Sequence, residues 1–203
     1  MKELGIPFEE QIHPFGNHDY SSFSPNRKVP CLYDSDIIVW DSLAIIEYLA
    51  EYHKEVWTSD VIARAWSRSA VAEMHSGFSA LRESCGMNIG LRVELNEISE
   101  KLLSDTSRLS AIWKEGIEKF GGPFLAGRKF TAVDAFFAPV VFRYQTYQFP
   151  LGETEIKYCN FLLTLKSMQL WERQALAESW RDQSHEDEVL EFGSVTTDYR
   201  LSL

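Results

Sequence analysis

The sequence predicts a small α/β domain followed by an all-helical one, and three observations carry that prediction. Two apolar runs, Val29-Pro30-Cys31-Leu32-Tyr33 and Ile37-Ile38-Val39-Trp40, flank the polar Asp34-Ser35-Asp36, which is the pattern of a β-hairpin. From Asp41 the apolar period becomes helical, with Leu43, Ile46, Leu49 and Ala50 recurring through Lys54. Beyond Asp60 only helical periodicity recurs. The 203 residues thus divide into an α/β domain at 1–54, a linker at 55–60 and a helical domain at 61–203, a partition of ordinary domain sizes.

Taken in order, Phe8, Glu10 and Ile12 alternate with their neighbours as in a short strand, closed by His13-Pro14. A polar loop runs from Gly16 to Lys28, and the hairpin and first helix follow. His53 and Lys54 sit where cations suit a helix C-terminus. A helix is expected from Val61 to about Cys85, with the stripe Trp66, Ala70, Met74, Phe78 and Leu81. Another runs from Val93 to Phe120 and stops at Gly121-Gly122-Pro123. Thr131 and Asp134 have capping-box spacing for a helix that contains Pro139, where a kink is expected at a cost of about 3 kcal/mol. A last helical stretch covers Phe161 to Glu178, and the tail from Arg181 to Leu203 reads as acidic and irregular.

Composition narrows the function. With 30 Asp+Glu against 20 Lys+Arg the net charge is -10, the wrong sign for a nucleic-acid backbone. No apolar run approaches the roughly 20 residues that span a bilayer, and the first residues, Met1 to Pro7, lack the apolar core of a signal peptide. Cys31, Cys85 and Cys159 form neither a disulfide framework nor a CxxC site, so a cytoplasmic protein with reduced thiols is expected. The histidines show no metal-ligand spacing, so no metal is expected.

Two dipeptides carry chemistry. A Val29-Pro30 bond opening a strand can be cis, leaving the Val29 N–H and C=O facing outward for a peptide-like ligand; alone, such a pair more often just starts an edge strand. Asp41-Ser42 opens a helix, where orphan N–H groups and the dipole favour an anion; alone, it is more often an ordinary cap.

In order and spacing, Lys28-Val29-Pro30-Cys31-Leu32, Asp41-Ser42-Leu43-Ala44-Ile45-Ile46-Glu47-Tyr48-Leu49, Phe124-Leu125-Ala126-Gly127 and Thr131-Ala132-Val133-Asp134 resemble the cytosolic glutathione S-transferases. The resemblance runs from about Leu4 to about Glu178. Ala72 to Phe78, with Arg82 and Met87-Asn88, is similar to a mainly bacterial subgroup. The resemblance implies a thioredoxin-like N-terminal domain before an all-helical one, a homodimer, and glutathione as co-substrate for conjugation to a small electrophile. It implies that Val29, beside Pro30, ladders with the cysteinyl unit of glutathione. Ser42 suits the γ-glutamyl carboxylate, Asp41 the neighbouring ammonium and Lys28 the glycyl carboxylate. His75, Phe78 and Arg82 fall at i, i+3 and i+7 on one expected helix face. The family's use of that helix to line the electrophile cleft makes His75 and Arg82 candidate substrate contacts, with Phe78 as core and Arg82 paired to a carboxylate as the alternative.

The chain departs from the family at its start. The strand and most of the helix that precede the segment matching Leu4 to Glu9 are missing, and with them the Ser, Cys or Tyr that activates the thiol. The expected N-terminal domain is therefore truncated, its sheet short of a central strand, and the catalytic residue is unknown. A non-enzymatic binding or regulatory module on the same fold is the alternative function.

Overall fold

A computed structural model describes residues 1–15 and 19–200. The expected hairpin forms: β1 (Cys31–Asp34) and β2 (Ile37–Trp40) pair antiparallel, Cys31 opposite Trp40 and Asp34 opposite Ile37. Ser35 takes a left-handed conformation, φ 54°, in the two-residue turn, as tight hairpin turns require. Helix α1 (Ser42–Tyr52) packs on the hairpin, setting Leu43, Ile45, Ile46 and the buried Leu49 toward it and the neighbouring core. On the ladder's other face Tyr33, Ile38 and Trp40 stay exposed, and the outer edge of β1 has no partner among the described residues.

The strand expected at Phe8–Ile12 does not form. That stretch follows a 3-10 turn at Lys2–Leu4 and has no ladder partner to fix it, and alternation without a partner does not make a strand. Of the expected polar loop, Gly16 to His18 lie outside the described residues; the rest holds a 3-10 turn at Tyr20–Ser22 capped by Asp19.

The expected linker is packed, with Val56 and Trp57 both buried. The helix expected from Val61 to about Cys85 breaks in two: α2 (Val61–Ser76) ends at Gly77, and α3 (Ser79–Ser84) starts after Phe78, which adopts φ 58°. Gly77 marks a tight approach, since a Cβ there would lie 2.9 Å from the Glu73 carbonyl oxygen. The helix expected from Val93 begins later, as α4 (Glu100–Phe120), where the Ser99 side chain accepts from the Leu102 N–H. The residues before it instead form β3 (Leu91–Leu95), paired antiparallel with β4 (Gly193–Asp198).

Helix α5 (Ala132–Tyr147) runs through Pro139 and is the central helix, with Val133, Phe137, Val140, Val141 and Phe142 fully buried. Trp113 of α4 meets Phe137 edge-on, and also Tyr158 of α6 (Glu153–Leu163). The stretch expected as one helix to Glu178 divides at Thr164-Leu165 into α6 and α7 (Lys166–Leu176). The tail expected as irregular holds α8 (Gln183–Phe192) and β4. The C-terminal half is thus helical apart from the β3–β4 pair. No helix among the described residues is long and apolar enough to cross a membrane.

The buried capping box at the start of α5 ties three elements together. The Asp134 carboxylate accepts from the Leu125 N–H (3.0 Å), the Thr131 N–H (3.0 Å) and the Tyr158 hydroxyl (3.1 Å). Burial pushes its pKa up to about 6, against the pull of those donors.

Candidate functional site

The hairpin register gathers the expected ligand residues. Because Cys31 faces Trp40, the chain enters the ladder through Val29-Pro30 and leaves it through Asp41-Ser42 at the same end. Val29-Pro30 is cis. Val29 is 38% exposed, and its N–H and C=O make no hydrogen bond among the described residues. The preceding loop is held by the Ser24 hydroxyl donating to the Lys28 carbonyl at 2.6 Å and the Lys28 N–H donating to Asn26 Oδ1 at 3.0 Å. The Lys28 side chain itself is exposed.

Asp41 caps α1, its Oδ1 accepting from the Leu43 N–H at 2.9 Å. It does so at φ 73°, an uncommon conformation for a residue with a Cβ, and such outliers cluster at functional sites. Oδ2 lies 3.3 Å from His75 Nε2. Ser42 opens the helix half-buried, and its hydroxyl makes no hydrogen bond among the described residues; its N–H is one of the helix's unpaired first donors. Side by side at this end stand an unpaired backbone donor and acceptor, a helix N-terminus whose hydroxyl has no partner among the described residues, and a partly exposed carboxylate. That set suits a peptide-like zwitterion. Cys31 is half-buried, with Sγ 3.6 Å from the Phe23 carbonyl oxygen, packed as expected rather than open.

His75 is the link the sequence did not show. It joins α2 to the start of α1 and meets the Phe136 ring of α5 edge-on, centroids 6.4 Å apart. Arg68 makes a parallel tie, bidentate to Glu47 at 3.0 and 2.9 Å and stacked over Trp57. Arg82 is placed otherwise than expected. The break at Gly77-Phe78 means that His75, Phe78 and Arg82 share no continuous helix face. Phe78 is buried, while Arg82 turns back on α2, donating from Nη2 to the Met74 carbonyl at 2.7 Å and from Nε to the Gly77 carbonyl at 3.2 Å. Its partners are carbonyls rather than a carboxylate.

Sequence reasoning passed over Arg143 and Tyr147, one turn apart on α5. The Arg143 guanidinium donates to the Cys85 carbonyl, and the buried Tyr147 hydroxyl has no hydrogen-bond partner among the described residues. Their i, i+4 spacing was visible; their facing α3 was not.

This architecture is shared with solved proteins. A glutathione transferase homolog from Burkholderia gl BGR1 with bound glutathione superposes with a TM-score of 0.64, at 23% identity over 86% of each chain. A theta-class glutathione S-transferase from Xanthomonas axonopodis pv. citri, also with glutathione bound, gives 0.59 at 19% identity, covering 83% of this chain and 86% of its own. These likenesses define the fold as that of a glutathione transferase, a thioredoxin-like part followed by a helical part. In sequence, residues 1–52 match the family described as glutathione S-transferase, N-terminal domain. The glutathione S-transferase-like protein OpS6 of Beauveria bassiana is 31% identical over 156 residues, 68% of each chain. Glutathione S-transferase GstB of Escherichia coli K12 is 34% identical over 93 residues, 38% of this chain and 45% of its own. The chain belongs to the glutathione S-transferase family.

Proposed function

We propose that this protein binds glutathione at the hairpin end and conjugates its sulfur to a small electrophile. The supporting observation is the pairing of Val29, whose N–H and C=O are unused, with the Asp41-Ser42 start of α1 at the same end of the ladder. Val29 would form a two-bond ladder with the cysteinyl unit beside Pro30. The Ser42 hydroxyl and N–H would take the γ-glutamyl carboxylate, the partly exposed Asp41 carboxylate the ammonium, and Lys28 the glycyl carboxylate. Each group then meets a residue of the required type. Bound glutathione supplies the nucleophile, a thiol of ordinary pKa about 8.5 that reacts as its thiolate.

The division of labour proposed is residues 1–54 for glutathione and residues 61–203 for the electrophile, joined through 55–60, with Thr131 and Asp134 serving stability alone. His75 and Arg82 would stand on the electrophile side, in a cytoplasmic homodimer. Calorimetric titration with glutathione, followed by conjugation of an activated aryl chloride, tests the reading. Saturable binding with turnover supports it, and no binding overturns the site. Binding without turnover would mark the other reading, a non-enzymatic module on the same fold.

A further inference from the structure

We propose that Arg143 and Arg82, together with the Tyr147 hydroxyl, receive a carboxylate on the second ligand, so that this protein's co-substrate is an anionic electrophile. Calling that ligand a co-substrate rests on the glutathione reading above; the anion site stands on its own geometry.

The placement runs along one face of α5. Phe136 and Arg143 lie i, i+7, two turns and about 10 Å apart on the same side of the helix. Phe136 meets His75, which holds Asp41. Arg143 meets Cys85 at the end of α3, and Arg82 sits one turn earlier on α3 with its guanidinium on the Met74 and Gly77 carbonyls. The wall that begins at the proposed glutathione site therefore ends at two guanidinium groups.

Those two groups are under-used. A guanidinium has five N–H donors; Arg82 commits Nε and Nη2, and Arg143 commits Nη1, all to backbone carbonyls. Neither lies in an ion pair with a carboxylate among the described residues, although the chain holds 30 Asp+Glu against 20 Lys+Arg. Carbonyls at the C-terminal ends of α2 and α3 carry partial negative charge, enough to hold the cations in place but not to neutralise them. Burial, and then the nearby charge of Arg82, lower the pKa of Arg143. Tyr147, one turn beyond Arg143, adds a buried hydroxyl with no partner. It borders the same loop, since a Cβ on Gly86 would lie 3.7 Å from its oxygen. An orphaned donor one turn from Arg143, which itself lies near Arg82, with neither cation paired to a carboxylate among the described residues, is a site short of an anion with acceptor oxygens.

The test titrates the protein with 4-methylbenzoate and with its neutral isostere 4-methylbenzamide, and in parallel with glutathione. The acid should bind roughly tenfold or more tighter than the amide, as charge-assisted hydrogen bonds imply. Arg143→Gln should bring the two within about twofold, Arg143→Lys should restore part of the preference, and Arg82→Gln should reduce it, each checked for native circular dichroism. Tyr147→Phe guards against misfolding, because its hydroxyl bonds nothing among the described residues; it should weaken the acid several-fold, about the worth of one hydrogen bond, and leave the amide alone. Equal binding of acid and amide, or a preference that survives both Arg143→Gln and Tyr147→Phe, overturns the proposal. A matching loss of glutathione affinity in Arg143→Gln also overturns it, by assigning the guanidinium to glutathione. Failure of glutathione to bind while the acid preference stands would remove the word co-substrate and leave the anion site.

Discussion

An aspartate stands in the first turn or cap of both α1 and α5, and the two sites differ in what their carboxylates face. At the start of α5, Asp134 is fully buried and all its bonds go inward, to the Leu125 and Thr131 amides and the Tyr158 hydroxyl. At the start of α1, Asp41 keeps its side chain 44% exposed, adopts φ 73°, and shares itself between one helix amide and a histidine from another helix. The first is spent on cohesion, whereas the second holds capacity in reserve beside an unpartnered Ser42 hydroxyl. A capping residue with unused acceptors at an exposed helix end is where a ligand fits. One with every lone pair matched by protein donors is a fastener.

The largest effect expected from breaking this contrast is at the fastener. Asp134→Ala orphans two buried amides and a buried hydroxyl, each worth about 1–3 kcal/mol. In a protein of this size that should lower Tm by on the order of 10 °C, while glutathione affinity in the surviving folded fraction stays at its wild-type value. An unchanged melting curve would remove Asp134 from the scaffold.

Next comes Ser42→Ala, which should weaken glutathione binding by roughly tenfold or more through loss of a charge-assisted hydrogen bond. Its Tm should hold, because the hydroxyl bonds nothing among the described residues. Undiminished affinity by calorimetry would return Asp41-Ser42 to the status of an ordinary cap.

A third measurement sharpens the contrast through pH. The Asp134 carboxyl has its pKa raised to about 6 in the folded protein, against about 3.9 in an unfolded chain. The folded state therefore holds the proton more tightly. The resulting stabilisation is complete below about pH 4 and is lost as the pH rises through about 6. Asp134→Asn lacks that titration, so the wild-type advantage in Tm over Asn should be greater at pH 4 than at pH 7. A difference that grows with pH would show the charged form to be the favoured one.

Only a small effect on stability is expected at Asp41→Gly. Glycine adopts φ 73° without strain and is a fair N-cap, so gain and loss should nearly cancel and leave Tm within a few degrees. Glutathione affinity should nonetheless fall, since the partner of the ammonium is gone. A large drop in Tm would mean that the His75 contact holds the two halves together, and Asp41 would then be a fastener too.

Local pattern made the ligand end legible. An apolar run on each side of the polar Asp34-Ser35-Asp36 marks the hairpin, and a change of period at Asp41 marks α1, which bring Val29 and Ser42 to one end of the ladder. What escaped depends on partners distant in sequence. Leu91, Val93 and Leu95 alternate with Arg92 and Glu94, a true strand signal, but it was overridden by the helical pattern that follows. Its partner, Gly193-Ser194-Val195-Thr196-Thr197-Asp198, has almost no apolar pattern and is a strand only because β3 offers a ladder. The break after α2 was marked by Gly77, yet nothing in the sequence marks Phe78 as left-handed. The same holds for His75 on Asp41, and for Arg143 on Cys85.

The β3–β4 pair has a consequence for how the molecule is assembled. Its two strands lie half a chain length apart, with α4 to α8 between them. A ladder that closes so long a loop meets a large entropic cost before it returns any bonds, so local helices can form ahead of it. Gly193, the first residue of β4, leaves no room for a side chain, since a Cβ there would lie 2.6 Å from both the Glu94 carbonyl oxygen and a Val93 methyl. Docking of this segment therefore behaves as a late clasp, one that reports in hydrogen exchange whether the helices beneath it have already packed.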